Sequence, residues 1–158
     1  MAKSATPIAL VTGAAGGLGL AIAERLAKDG FRITLFDIDQ NGVHASATSI
    51  PGAQGYACDI TNEDEVVENL KRLVSDFGAY PDVLVNNAGI VRFGDFLEQS
   101  VENFRKVVDV NLVGTFVMSR EVGKAMAARG SGAIVNVTSL NAFAPSPDTG
   151  AYPATKAA

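Results

Sequence analysis

Short β-branched runs alternate strictly with longer amphipathic ones, and this constrains the fold more than any other feature of the chain. IALVT (Ile8–Thr12), RITLF (Arg32–Phe36), QGYAC (Gln54–Cys58), DVLVN (Asp82–Asn86) and AIVNVT (Ala133–Thr138) read as strands. Leu18–Lys28, a weaker Gly42–Ser49, Glu63–Phe77 and a long Val101–Arg129 read as helices. Most strand runs are apolar on both faces, the pattern of strands covered by helices above and below. Strand–helix–strand units within one sheet require parallel pairing and right-handed crossovers. The expected architecture is α/β: an open, doubly wound parallel sheet with five strands.

A chain of 158 residues can bury one sizeable core and is too short for two ordinary domains, so residues 1–158 are expected to form one unit. Apolar residues at 47% against 19% charged give a globular composition, not a disordered one. The net charge of −4 and the absence of any Lys/Arg run argue against nucleic acid and against anionic membrane surfaces. His44 and Cys58 are each the sole residue of their type, which excludes His-based triads, internal disulfides and the usual zinc clusters. No metal is expected, and His44 reads as a surface residue of an Ala-rich segment. The lone cysteine fits a reducing, cytoplasmic compartment. The opening MAKSATPIALVTG carries an apolar run too short for a signal peptide or a membrane span.

The long helical segment is apolar twice over. Phe104, Val108, Leu112 and Met126 form one stripe, and Val110, Val113 and Val117 another. A helix apolar on two faces is buried on two sides. One side belongs to the sheet, and the other is expected to meet a second copy, giving a homo-oligomer.

In open α/β sheets, ligands bind outside the C-terminal ends of the strands. Here those ends deliver TGAAGGLG, Asp37, Cys58-Asp59-Ile60, NNAG and Thr138-Ser139 to one rim. In the glycine stretch, Gly13 suits the tight turn out of the strand. Gly17 leaves room where a pyrophosphate approaches, and Gly19 permits close helix packing. The helix that follows offers free N–H groups and a partial positive charge to phosphates. The spacing is Gly-x3-Gly-x-Gly rather than GxGxxG, and no Lys-Ser/Thr pair follows as in a P-loop. Taken alone, the stretch is also compatible with a purely structural turn.

Asp37 lies 18 residues after Gly19 at the end of the second strand, where a carboxylate can accept from adenosine ribose hydroxyls. The same charge opposes the extra phosphate of NADP, and Ile38 and Asp39, not an arginine, follow it. The cofactor expected is therefore NAD. The alternative for Asp37 is a turn-initiating aspartate.

TGAAGGLG, Asp59-Ile60-Thr61, NNAG, Asn111, Ser139 and YPATK, in that order and spacing, resemble the single-domain short-chain dehydrogenases/reductases over essentially the whole chain. The resemblance implies a Rossmann-like fold that binds NAD. It assigns the cofactor to Gly13, Gly16, Gly17, Leu18 and Gly19, to Asp37 and Ile38, and to Asp59 and Ile60 beside the adenine ring. Asn86, Asn87, Ala88 and Gly89 are assigned to the cofactor floor, with Asn87 partly structural. Asp59 could instead cap the helix beginning near Asn62, and NNAG could be a simple turn. Thr12 is expected to tie neighbouring strands together.

The catalytic residues implied are Asn111, Ser139, Tyr152 and Lys156, with Tyr152 and Lys156 also against the nicotinamide ribose. Oxidising an alcohol needs a base for the hydroxyl proton while hydride leaves to the nicotinamide. Free tyrosine, with a pKa near 10, is a poor base at neutral pH. A lysine one helical turn away, together with the oxidised nicotinamide, favours phenolate and lowers that pKa. By resemblance, Ser139 hydrogen-bonds the substrate oxygen and Asn111 holds a water that relays the proton from lysine. The alternative for Asn111 is a satisfied core amide or a helix irregularity. Pro153 belongs in the first turn of the final helix, which Tyr152 and Lys156 open.

The function expected is hydride transfer between NAD(H) and a small-molecule secondary alcohol or ketone. The runner-up is a non-catalytic dinucleotide-binding or assembly module. The resemblance also implies that the later strands of a six-stranded sheet lie beyond Ala158. On that basis the 158-residue chain is expected to be inactive, and either to self-associate through an open fifth strand or to be unstable. Phe93, Phe96 and Phe143 read either as the near wall of a substrate pocket or as core.

Overall fold

The computed structural model describes residues 6–158; residues 1–5, which begin the stretch read above for a leader, lie outside the described residues. Five strands, β1 (Ile8–Thr12), β2 (Arg32–Asp37), β3 (Gln54–Ala57), β4 (Val83–Asn86) and β5 (Ala133–Asn136), form one sheet in the order β3-β2-β1-β4-β5. All pairings are parallel, with Ala9 opposite Ile33 and Val83, and Asn86 opposite Asn136. The strand order reverses at β1, so the C-terminal ends of β1 and β4 diverge around a crevice. This is the expected Rossmann-like sheet.

Helices α1 (Gly17–Lys28), α2 (Gln40–Ser49), α3 (Glu63–Phe77), α4 (Val101–Val108), α5 (Thr115–Arg129) and α6 (Tyr152–Ala157) complete the fold. Alternate residues of β1 feed two separate cores, as the twofold period of a strand requires. Ile8 and Leu10 pack with Leu70 and Leu73 of α3 and Met118 and Val122 of α5. Ala9 and Val11 pack on the other face with Ala23 of α1 and with Val43 and Ala47 of α2. Side-chain caps define the starts of α2, α3 and α4: Asp39 accepts from the N–H of Gly42, Asn62 from those of Asp64 and Glu65, and Ser100 from that of Asn103. Asn62, not Asp59, therefore caps α3.

Two expectations need correction. Val101–Arg129 is one continuous rod, but Asp109–Gly114 is wound as a π-helix between α4 and α5. The wider turn rotates the faces, so the proposed stripes break up. Met126 and Val117 reach the core, whereas Phe104, Leu112 and Val113 are exposed. A π segment inside an α-helix frequently marks a functional position, and this one carries Asn111. The second correction is of length: the fifth strand is Ala133–Asn136, shorter than Ala133–Thr138, and its four residues are exposed, in keeping with the open fifth strand expected. The other strand and helix limits differ from expectation by one or two residues, the ordinary fraying of element ends.

Candidate active site

A cleft of about 430 Å³ opens at the C-terminal rim of the sheet. Gly13, Asp37 and Ile38 line one side, and Asp59 and Ile60 the base of the β3–α3 turn. Asn87, Ala88 and Gly89 line the other side, joined by Ile90, Arg92, Lys106 and Val110. The polypeptide builds this cleft largely from backbone. Thr12 Oγ1 accepts from the N–H groups of both Asn87 and Ala88 at 3.1 Å, so a β1 side chain holds the turn after β4. Asn87 Nδ2 returns two bonds of 3.0 Å to the carbonyls of Thr12 and Gly13. The NNAG stretch is thus a turn clamped to the glycine loop, and Asn87 is structural in it.

Gly13 has a positive φ of 64°, and a methyl group there would lie 2.7 Å from Ala88 Cα. At Gly19 a methyl would collide with the Gly13 carbonyl and lie 2.6 Å from Asn87 Nδ2. These two glycines are demanded by close packing. Gly16 and Gly17 differ, for the space that their side chains would fill is empty to 4 Å. No side chain caps α1, and Leu20 is the first residue whose N–H closes back to Gly16. The leading N–H groups of α1 face open space, an arrangement suited to an anion.

Asp37 Oδ2 accepts from Ala15 N at 2.9 Å and Oδ1 from Asp39 N at 3.0 Å. The carboxylate therefore braces the glycine loop as well as edging the cleft. Its remaining lone pairs are the ones a diol could use. Asp59 Oδ1 accepts from the N–H and hydroxyl of Thr61, closing the β3–α3 turn. Ile60 is buried, and its Cδ1 would lie 2.7 Å from a methyl placed on Gly114, so the π segment seats on it. Cys58 is buried at the same end; burial pushes its thiol up to about 12, which leaves it protonated and unreactive at neutral pH.

Gly89 joins this cleft to the second group of predicted residues. A methyl on Gly89 would sit 3.4 Å from Lys156 Nζ and 3.3 Å from Asn111 Oδ1. Lys156 donates to the Val137 carbonyl at 2.8 Å, and burial lowers its pKa. Its Nζ lies 5.9 Å from the centre of the Tyr152 ring, so the two share one side of α6 as their spacing requires. Asn111, 4% exposed, makes three side-chain hydrogen bonds: Oδ1 accepts from Ile90 N (2.8 Å), while Nδ2 donates to Ile90 O (2.9 Å) and Thr155 Oγ1 (3.1 Å). Ser139 Oγ accepts from Asn141 N at 3.2 Å and caps a short 3₁₀ turn, Leu140–Ala142. Gly16, Gly17, Leu18 and Gly19 form the start of α1 and are not among the residues that line this cleft. Phe93, Phe96 and Phe143 are all exposed, so they are not core.

Sequence reasoning passed over Thr155, which receives Asn111 and donates to Tyr152 O at 2.8 Å. Its place inside YPATK was the available signal. Ile90, directly after NNAG, was missed because it acts through its backbone. Val110 precedes Asn111 and reaches the cleft only because the π turn rotates it.

Residues 7–158 match the family model described as short chain dehydrogenase. The chain belongs to that family. It is 40% identical over 136 residues to the D-threitol dehydrogenase of Mycolicibacterium smegmatis, covering 84% of this chain and 52% of that protein. It is 34% identical over 154 residues to the 2-dehydro-3-deoxy-D-gluconate 5-dehydrogenase of Formosa agariphila, covering 94% and 58%. Among solved structures, an NAD+-bound xylitol dehydrogenase superposes with a TM-score of 0.91 at 33% identity, covering 96% of this chain and 60% of that one. A 3-ketoacyl-(acyl-carrier-protein) reductase from Brucella melitensis complexed with NADH gives 0.90 at 35% identity, covering 96% and 64%. The chain thus spans between half and two thirds of the length of these relatives. No helix among the described residues is long and apolar enough to cross a membrane.

Proposed function

We propose that the protein containing this chain is an NAD-dependent oxidoreductase acting on a secondary alcohol or its ketone. The observation that carries the reading is the position of Gly89, in the wall of the dinucleotide-sized cleft and against both Lys156 and Asn111. It puts the acid–base group of α6 at one end of a site whose other end suits an adenosine diphosphate. The empty space over Gly16 and Gly17 and the uncapped start of α1 fit the pyrophosphate. Asp37 fits the ribose diol and opposes a 2′-phosphate. Bound there, the cofactor supplies the hydride acceptor for oxidation.

The chain's own residues do the rest. Tyr152 takes the hydroxyl proton, and the Lys156 ammonium beside it stabilises the phenolate. Ser139 donates to the substrate oxygen. Asn111 holds the β4–α4 turn and α6 at one spacing through Ile90 and Thr155. Both Nδ2 protons are committed, so a water in a relay from Lys156 can only donate to Asn111, at the second Oδ1 lone pair or at the main-chain oxygen.

The relatives named for threitol and xylitol make sugar alcohols the first substrates to test. Self-assembly through the outer face of the α4–α5 rod belongs to the same reading, supported by exposed Phe104, Leu112, Val113 and Phe116. A cytoplasmic setting belongs to the same reading, supported by Cys58 being the sole cysteine of the chain. The test is NADH formation by the full-length protein across a polyol and hydroxy-acid panel, with dinucleotide binding measured in parallel by calorimetry. Turnover with NAD is expected. Tight binding without turnover on any alcohol would favour the assembly-module reading instead.

A further inference from the structure

Two loops meet in front of α6. The segment after β4, which carries Arg92 to Gln99, is tied to the one before Tyr152 by Gly94 N donating to Asp148 O at 2.9 Å. The Gln99 side chain reinforces the tie. Its Nε2 donates to Arg92 O at 2.7 Å, and the amide lies across Gly150. A methyl on Gly150 would sit 2.5 Å from Gln99 Cδ and 2.7 Å from Nε2. Gly150 has a positive φ of 54°, the backbone state in which a side chain is strained.

The turn that Gln99 covers aims the catalytic helix. Thr149 and Ala151 are 3% and 2% exposed, Thr149 Oγ1 donates to Ser146 O at 2.6 Å, and Tyr152 N donates to Thr149 O at 3.1 Å. Helix α6 starts at Tyr152 with no side-chain cap. Its first turn therefore takes its direction from the turn before it, and Pro153 there leaves little slack between the Gly150 turn and Tyr152.

We infer that Gln99 is a positioning residue for Tyr152: anchored on Arg92 O, its amide is the wall against which the Thr149–Ala151 turn closes. The inference rests on the reading of Tyr152 as the acid–base group. Gln99 touches neither substrate nor cofactor in this arrangement. It acts by fixing where the phenol enters the site, and positioning errors near 1 Å can cost on the order of a hundredfold in rate.

The test uses the full-length protein with Gln99→Ala, Gly150→Ala and the double variant. Gln99→Ala is expected to lower kcat about tenfold, a fraction of the loss that full misplacement brings. It should leave the Kd for NAD and the thermal midpoint unchanged and move the kcat–pH profile to higher pH. Gln99→Asn, which withdraws the amide by one carbon without emptying the site, should fall between. Gly150→Ala should cost less in the Gln99→Ala background than in the parent, because the methyl then has room. A kcat within twofold of the parent for Gln99→Ala, or an equal cost of Gly150→Ala in both backgrounds, overturns the inference. So does a parallel fall in NAD affinity and stability, which marks a merely structural residue. Tyr152→Phe, run alongside, separates the two readings: if it keeps turnover, the assignment of Tyr152 fails whatever Gln99 does.

Discussion

β1 and β5 are parallel strands of the same sheet, yet all five residues of β1 are buried and all four of β5 are exposed. β1 lies between β2 and β4 and has helices on both faces. β5 has one neighbour, and Ile134 and Val135 are 40% and 49% exposed. The two halves of the candidate site inherit this difference. The dinucleotide half leaves from β1, β2 and β4, and its geometry is imposed by close backbone packing and buried hydrogen bonds. The acid–base half follows β5 and is held by a handful of side-chain ties, namely Lys156 to Val137 O, Asn111 to Thr155 and Gln99 over Gly150. Among the described residues, the candidate dinucleotide half therefore rests on the core, whereas the candidate acid–base half rests on side-chain ties between segments distant in sequence.

Substitutions in the two halves should accordingly separate stability and binding from turnover. The largest effect expected is that of Tyr152→Phe in the full-length protein, which keeps the ring and removes the ionisable oxygen. Turnover should fall about a thousandfold, within the usual range for losing a general acid–base group, while NAD affinity stays within twofold. Steady-state rates and calorimetry decide it, and near-normal turnover across pH would remove Tyr152 from the chemistry.

Gly19→Val strikes the other half. Its side chain meets the Gly13 carbonyl, which is backbone and cannot step aside, so a loss of about 3 kcal/mol is expected. Both NAD binding and the urea midpoint should drop. Unchanged stability with unchanged binding would show that the dinucleotide half is more pliable than its packing indicates.

Asp37→Ala is a milder probe. It removes a ribose acceptor and an opposed charge, and should erode the NAD-over-NADP preference by about 2 kcal/mol. Because Asp37 also accepts from Ala15 N and Asp39 N, the variant should loosen the glycine loop and weaken both dinucleotides somewhat. Tighter binding of NADP than of NAD by the unmodified protein would reject the ribose role.

The smallest effect is electrostatic. Burial lowers the Lys156 pKa below its ordinary 10.5 in the folded protein. Between the lowered and the ordinary value the unfolded chain binds more protons, so this group makes stability rise with pH across that interval. Lys156→Met should flatten that limb of the stability–pH curve. An identical alkaline limb in both proteins would mean that Lys156 is solvated as freely as in the unfolded chain.

Much of the molecule is legible from sequence because it depends on local pattern. The alternation of elements, the parallel sheet, the glycine turn, the position of Asp37 and the Tyr152–Lys156 spacing all follow from periodicity and backbone stereochemistry, which act over a few residues. The π turn at Asp109–Gly114 was signalled only by Asn111, for which a helix irregularity was one of the alternatives. Apolar spacing over Val101–Arg129 suits a straight helix, and the extra residue is absorbed only because Gly114 seats on Ile60 and the Asn111 amide closes on Ile90. Thr155 and Gln99 likewise looked ordinary in sequence, since Asn111 and Gly150 lie 44 and 51 residues from them. Sequence alone determined which groups reach the rim of the sheet, because element type and order are set by local propensity and chain direction. Only the tertiary structure decided how those groups are held and oriented, because that depends on hydrogen bonds and packing between segments distant in the chain.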